Sequence, residues 1–216
     1  KPNVYLVPCN LNYHLVLEAE TLIEDHLKKT GKGRFIIDDD ESSKPRQVMR
    51  FFRELLHLDS EIWATVGHPM DPFGNRVDGN GVSIDERGRS IDIRNYVCVN
   101  GEPCLRPQRD RVYTAEAGEK LSDAFKRNNL ALSTNITAYA AFEILRSRHP
   151  GVDLYRLLRT AADGTGIEMA RLAEEVETIS TRLRSMSDVG DIMVDKKVRD
   201  ADPMAIIHDA LRHFGS

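Results

Sequence analysis

Residues 4–14 read VYLVPCNLNYH, and this stretch decides the fold class. Its first half is an apolar run typical of a buried β-strand. Pro8 lacks a backbone N–H donor, so the strand is expected to end or bulge there. A second apolar run, residues 61–66, predicts another buried strand, which ends at the structure-breaking residues Gly67 and Pro69.

Two helices are predicted between these strands. Apolar residues recur at helical spacing over residues 16–27, and Gly31 stops that helix. Ser43 is a suitable N-cap for the second helix, with Pro45 in its first turn. The predicted order of these elements is therefore strand–helix–helix–strand.

Residues 71–112 have a different character, because glycines separate short alternating runs. Short strands are expected on either side of the turn at residues 86–89, and Asn100-Gly101 is a strong hairpin signal. No internal repeat is recognised in the chain. The segment is interpreted as a β-rich insertion.

From Thr114 onward the chain is predicted to be helical. Residues 131–146 are apolar nearly all round, which indicates a helix inside a core. A capping box at Thr165 opens the next helix, and the last helix begins at Pro203. The predicted core faces of these last two helices are Met169, Leu172, Val176, Ile179, Leu183 and Met186, and Met204, Ile207, Leu211 and Phe214.

Composition limits the classes of function. The 216 residues carry 30 Lys+Arg against 34 Asp+Glu, a net charge of −4, which argues against bulk binding of nucleic acid. No apolar run approaches the roughly 20 residues of a membrane-spanning helix. Cys9, Cys98 and Cys104 contain no C-x-x-C pair, so neither a disulfide scaffold nor a cysteine metal site is expected.

His14 directly follows the first strand, where active-site groups of α/β proteins often lie. One interpretation is an active-site histidine, as in an unrelated hydrolase built on His14 or His68. The other, which we favour, is a histidine at a helix start that bonds to the backbone, because the sequence pairs it with no nucleophile.

A basic stripe lies on the second predicted helix. Arg46, Arg50 and Arg53 recur on one face, opposite an apolar face. A basic amphipathic helix can lie on an anionic membrane surface. An ordinary solvated face is the alternative interpretation.

Residues 4–14 resemble the fourth conserved block of the glycerol-3-phosphate acyltransferase family, bacterial and mitochondrial type. That block is a strand of the form V-P-hydrophobic-x-hydrophobic-x-Tyr, which Val7, Pro8 and Tyr13 match. Cys9 departs from the pattern, because the family favours an aliphatic residue there.

The resemblance continues along the chain. Residues 63–70 are similar to the family's strand-Gly-x-Pro-hydrophobic element, and the later helices are similar to its C-terminal helical region. The resemblance implies an α/β fold, with part of an acyltransferase sheet covered by helices at 1–70, a β-hairpin insertion at 71–112, and an all-helical C-terminal tail at 113–216.

The function that the resemblance implies is transfer of a fatty acyl group from an acyl thioester to glycerol 3-phosphate in phospholipid synthesis. Val7, Pro8 and Tyr13 would help to shape the substrate site. The thioester, of coenzyme A or acyl carrier protein, is a co-substrate, so no cofactor is expected. Such proteins attach peripherally to the cytoplasmic face of a membrane and bind no nucleic acid.

The family's His-x-x-x-x-Asp block, which supplies the general base, does not occur in this sequence. In the family it precedes the fourth block, so it is expected upstream of Lys1. We therefore assign no catalytic residue and expect residues 1–216 to be inactive alone. A stand-alone lipid- or protein-binding module is the alternative. A self-contained cleft with its own imidazole–carboxylate couple would contradict the acyltransferase hypothesis.

Overall fold

A computed structural model describes residues 4–14, 28–29, 62–154, 156–157 and 166–214. These residues form helices and small two-stranded sheets, in keeping with the general α/β class. The helices predicted over 16–27 and after Ser43, with the arginine stripe, lie outside the described residues. None of the helices within the described ranges is long and apolar enough to cross a membrane.

The chain divides into two compact units. The first unit consists of residues 1–12, 63–130 and 187–193, and the second of residues 13–62, 131–186 and 194–216. The division at 70 and 112 that the sequence suggests stays a prediction.

The first sheet pairs β1 (Cys9–Tyr13) with β2 (Ile62–Val66). Before β1, Leu6 and Met70 exchange two backbone hydrogen bonds of 2.8 and 2.9 Å as an antiparallel bridge. Pro8 lies between this bridge and β1, and its carbonyl accepts a hydrogen bond of 2.8 Å from the N–H of Gly67. The predicted interruption at the proline is confirmed, and the strand resumes after it.

The prediction that both strands are buried is wrong for one face of the sheet. Residues along β1 and β2 alternate between exposed and half-buried. Val7, Leu11 and Val66 keep 51%, 63% and 67% of their surface exposed. An apolar run reports the tendency to form a strand, whereas burial depends on a covering layer that the run does not encode.

The expectation that the chain has no internal repeat is also wrong. Aspartates recur every seven residues, and a glycine with positive φ, between +75° and +81°, follows the first three aspartates at the third position. The period escapes notice because it is far shorter than that of the familiar repeat architectures and only two positions recur strictly. The aspartates are Asp71, Asp78, Asp85 and Asp92, and the glycines are Gly74, Gly81 and Gly88.

We call the four turns that begin at Asp71, Asp78, Asp85 and Asp92 the turn ladder, and each aspartate closes its own turn. The carboxylate accepts a hydrogen bond from the backbone N–H two residues on, and in the first three turns from the N–H four residues on, at 2.8–3.0 Å. Short pairings link successive turns, among them β3 (Arg76–Val77) with β4 (Ser83–Ile84). Residues 71–92 are thus stacked turns rather than open loops.

The remainder of the first unit is a hairpin and a long helix. After α1 (Arg94–Val97), the strands β5 (Cys98–Val99) and β6 (Glu102–Pro103) pair across Asn100-Gly101, whose φ values of 53° and 85° are those of a tight hairpin turn. This confirms the predicted hairpin. The helix α2 (Pro107–Arg127) follows.

Helices dominate the second unit. In the part of the unit that the structure describes, they include α3 (Ser133–Arg148), α4 (Met169–Asp188), α5 (Lys196–Arg199) and α6 (Pro203–Phe214). The expectation of an all-helical C-terminal tail is wrong in one respect, because β7 (Leu130–Ala131) and β8 (Met193–Val194) pair as a fourth small sheet. The buried cluster between the helices consists of Ile136, Ala140, Ile144, Leu172, Val176, Val198, Ile206 and Ile207.

The helices α3, α4 and α6 confirm the helical prediction, but parts of the predicted core faces are wrong. Met169, Met204 and Phe214 are 42%, 37% and 42% exposed. All three lie in the first or last turn of a helix. Helical spacing identifies the correct side of a helix but not how far along that side the core extends.

Candidate functional site

The predicted substrate-site residues lie in and directly before β1. Val7 and Tyr13 are exposed, at 51% and 39%, and the ring of Pro8 is fully buried. A Cβ placed on Gly67 would lie 2.7 Å from Cγ of Pro8, so the proline ring packs directly on the glycine backbone. Pro8 therefore has a structural role in this sheet, whereas Val7 and Tyr13 are accessible to a ligand.

The half-buried face of β1 is polar and is held against the end of α2. The amide of Asn10 donates to the carbonyl of Phe125 at 3.0 Å, and that of Asn12 donates to the side-chain oxygen of Asn129 at 2.8 Å. Among the described residues, the buried side-chain oxygens of Asn10 and Asn12 have no hydrogen-bond partner. These contacts fix which face of β1 turns toward the helix.

The opposite face of this sheet is apolar and exposed. In the first unit it presents Val7, Leu11 and Val66, together with the exposed residues Cys9 and Ala64. Large apolar side chains grouped on one sheet face are typical of a surface that another layer or a ligand covers.

A second group of side chains, which the sequence analysis does not identify as a set, lies in the second unit. His14 directly follows β1, and Asp209 and His213 lie one turn apart on α6. The rings of His14 and His213 stack, with centroids 3.7 Å apart and planes inclined by 10°. One ring nitrogen of each histidine and one oxygen of Asp209 all lie within 4.8 Å of one another.

Two hydroxyl groups from the first turn of α3 contact this histidine–aspartate cluster. The hydroxyl of Ser133 donates to Oδ2 of Asp209, and Oγ1 of Thr134 lies 3.3 Å from Nδ1 of His14. On the solvent side, the guanidinium of Arg212 donates to Oδ1 of Asp209. His14 is 8% exposed, so the cluster lies at the edge of the helical core.

The electrostatics of the cluster favour an ionised carboxylate. Burial by itself would raise the pKa of Asp209, but the hydrogen bonds from Ser133 and Arg212 outweigh it, so the pKa lies below its ordinary value. The positive charge of Arg212 and the neighbouring His213 act in the same direction.

Two kinds of chemistry are open to such a cluster. Two imidazole nitrogens and a carboxylate oxygen are a donor set for a divalent transition metal. An imidazole beside a hydroxyl is also the pattern of nucleophilic catalysis. The hydroxyls of Ser133 and Thr134 are 0% and 2% exposed as residues, however, so a substrate carbonyl cannot reach them.

His14 is thus placed among side chains of α3 and α6. Of the signals that could reveal the cluster, the sequence contains only the four-residue spacing of Asp209 and His213, which puts both on one helix face. The third member comes from the far end of the chain. His68, the other histidine considered in the sequence, is exposed after Gly67.

Comparisons of the chain with models of known protein families, with curated proteins and with solved structures find no match. The resemblance to the acyltransferase family therefore rests on the residues of this chain alone.

Proposed function

We propose that this chain is the C-terminal portion of an acyltransferase that moves a fatty acyl group from an acyl thioester to glycerol 3-phosphate in phospholipid synthesis. One observation carries the proposal. Residues 4–14 and 63–70 each resemble an element of that family, and these two stretches, separated by almost fifty residues of sequence, lie side by side as paired β-strands.

The reaction needs groups that this chain does not provide in the family's arrangement. A hydroxyl becomes a nucleophile at neutral pH only with a general base, and the tetrahedral oxyanion needs hydrogen-bond donors. The base is proposed to come from a preceding His-x-x-x-x-Asp block. His14 and Asp209 do not form such a block, because they come from opposite ends of the sequence, and both carboxylate oxygens of Asp209 accept hydrogen bonds from Ser133 and Arg212.

The exposed apolar face of β1 and β2 supports the proposal. A layer that completes an α/β sheet, or the acyl chain of the substrate, would cover Val7, Leu11 and Val66. A stand-alone binding module would cover the same face only when its partner binds. Activity therefore separates the two hypotheses better than structure does.

The first experiment measures thioester release with glycerol 3-phosphate. Residues 1–216 alone are expected to show no turnover, and robust turnover would contradict the missing-base argument. The coding sequence upstream of Lys1 supplies the second arm of the test. A His-x-x-x-x-Asp block within about one domain length supports the acyltransferase, and a start codon directly before Lys1 supports the module.

The second experiment uses the longer chain and two exposed tyrosines. Tyr13→Ala is expected to lower kcat/KM for acyl transfer by about tenfold or more, because misplacing a substrate is costly in rate. The matched control is Tyr139→Ala on α3, where Tyr139 is 52% exposed. Equal activity of the two variants would show that Tyr13 does not contribute to the substrate site.

Peripheral attachment to the cytoplasmic face of a membrane is part of the same proposal and depends on the sequence alone. Flotation with vesicles that contain anionic lipid is expected to fall when Arg46, Arg50 and Arg53 are all changed to glutamate. Unchanged flotation would count against the arginine stripe.

A further inference from the structure

We propose that His14, Asp209 and His213 bind one divalent transition-metal ion of the zinc class. The inference does not depend on acyl transfer, because none of the three residues belongs to the predicted substrate site. It would make the second unit a metal-binding unit whose ligands come from both ends of the sequence.

The candidate ligand atoms lie near one another, although they do not yet have the arrangement found around a bound ion. Around a tetrahedral zinc, bonds of about 2.0–2.1 Å place the ligand atoms about 3.3 Å apart. The three candidate ligand atoms already lie within 4.8 Å of one another. Side-chain rotations that move these atoms by an ångström or two would bring all three within bonding distance of one ion. Parallel stacked rings do not point at a common centre, so the ring of His213 must turn when an ion binds.

The surroundings of the cluster match those of known metal ligands. Ligating histidines and carboxylates are usually held by a further hydrogen bond that fixes their orientation. Here Ser133 holds Oδ2 of Asp209, and Thr134 lies beside Nδ1 of His14. Both hydroxyls come from the buried start of α3, which is a rigid support.

The group that competes with a cation is Arg212. Its guanidinium donates a hydrogen bond to Oδ1 of Asp209. The arginine side chain is 76% exposed, so this ion pair is weak. An arriving ion would displace the guanidinium into water. Three protein ligands leave one position for water or a small molecule, as in zinc sites that are not purely structural.

The experiment titrates the full 216-residue chain, first freed of metal with a chelator, with Zn²⁺ by calorimetry and with Co²⁺ by visible absorption. One ion per chain is expected, with the intense Co²⁺ bands of a tetrahedral site. His213→Ala and Asp209→Asn are each expected to weaken binding by about tenfold or more. The matched control is His208→Ala, an exposed histidine on the same helix that should leave binding unchanged.

A fourth variant distinguishes a metal site from a merely structural cluster. Arg212→Gln removes the competitor and is expected to tighten Zn²⁺ binding by up to about fivefold, the worth of a surface ion pair. Circular dichroism of each variant verifies that the helices are intact. Absence of binding, or equal affinity of the His213→Ala and His208→Ala variants, would overturn the proposal.

Discussion

The ring of His213 lies flat against the ring of His14, with the centroids 3.7 Å apart. His14 follows the first strand and His213 lies in the last turn of α6, so this contact joins the two ends of the sequence within the second unit. Stacked rings contribute about 0.5–1.5 kcal/mol beyond the area that they bury. The contact therefore helps to fix the residue after β1 to the helical core.

Removal of the His213 ring is expected to destabilise the metal-free protein. His213→Ala should lower the free energy of unfolding by about 1–2 kcal/mol, because the stack and a half-buried side chain are lost. His208→Ala, on an exposed face of the same helix, should change it by less than about 0.5 kcal/mol. Urea unfolding in the presence of a chelator measures both, and equal stabilities would show that the stack contributes nothing.

A side chain at Gly67 is expected to disrupt the first sheet. The new Cβ of Gly67→Ala would collide with the side chain of Asn128 and lie 2.7 Å from the rigid ring of Pro8. Overpacking of this kind costs about 1–3 kcal/mol. Gly79→Ala is the control, because a Cβ there meets no atom of the described residues within 4 Å. Thermal unfolding of the two variants compares them, and a neutral Gly67→Ala would disprove the close approach.

The turn ladder provides a matched pair of aspartates. Asp71 is 1% exposed and accepts hydrogen bonds from the N–H groups of Phe73 and Asn75 and from the side chain of Asn75. Asp71→Ala leaves these donors unpaired in a buried turn, so the free energy of unfolding is expected to fall by about 3 kcal/mol.

The partner variant is Asp78→Ala, in an exposed turn with the same backbone bonds. In this exposed turn water replaces the carboxylate, so the free energy of unfolding is expected to fall by only about 1 kcal/mol. Urea unfolding of both variants gives the difference. Equal losses would mean that burial of Asp71 does not increase its contribution.

Acid is expected to weaken the exposed turn of Asp85. Two hydrogen bonds from Arg89 lower the pKa of Asp85 below the ordinary value of 3.8. The bond from its backbone N–H has the larger effect and the bond from its side chain the next. A carboxyl whose pKa is lower in the folded state contributes its full stabilisation above the unfolded pKa and loses it as the pH falls through the folded pKa. The stabilisation is therefore complete above pH 3.8 and disappears only in stronger acid.

The amide chemical shifts of Arg87 and Arg89 measure this titration. They should follow Asp85 with a midpoint below 3.8, and Asp85→Asn, which keeps an acceptor oxygen, should abolish the transition. A midpoint at or above 3.8 would contradict the lowered pKa.

Local signals predict a large part of the fold. The hairpin at Asn100-Gly101, the interruption at Pro8 and the helices α3, α4 and α6 follow from turn geometry, the missing proline donor and helical periodicity. The turn ladder is equally local, since each aspartate bonds within four residues of itself. It could have been found by searching for short periods.

The candidate sites are predicted less well, because they depend on distant segments. The resemblance of Val7, Pro8 and Tyr13 to a family block predicts a substrate site at β1, but the buried ring of Pro8 and the exposure of Val7 depend on what packs around the strand. The spacing of Asp209 and His213 is visible in the sequence, whereas the approach of His14 and Ser133 is not.

Within the described residues, the positions of the long helices, the hairpin turn and the interruption at Pro8 follow from the sequence alone, because they depend on backbone preferences within a few residues. The tertiary structure alone decided which face of β1 is covered, why position 67 has room only for glycine, and that His14 meets Asp209 and His213. Those contacts join residues far apart in the chain, and their formation depends on how whole elements pack rather than on any local pattern.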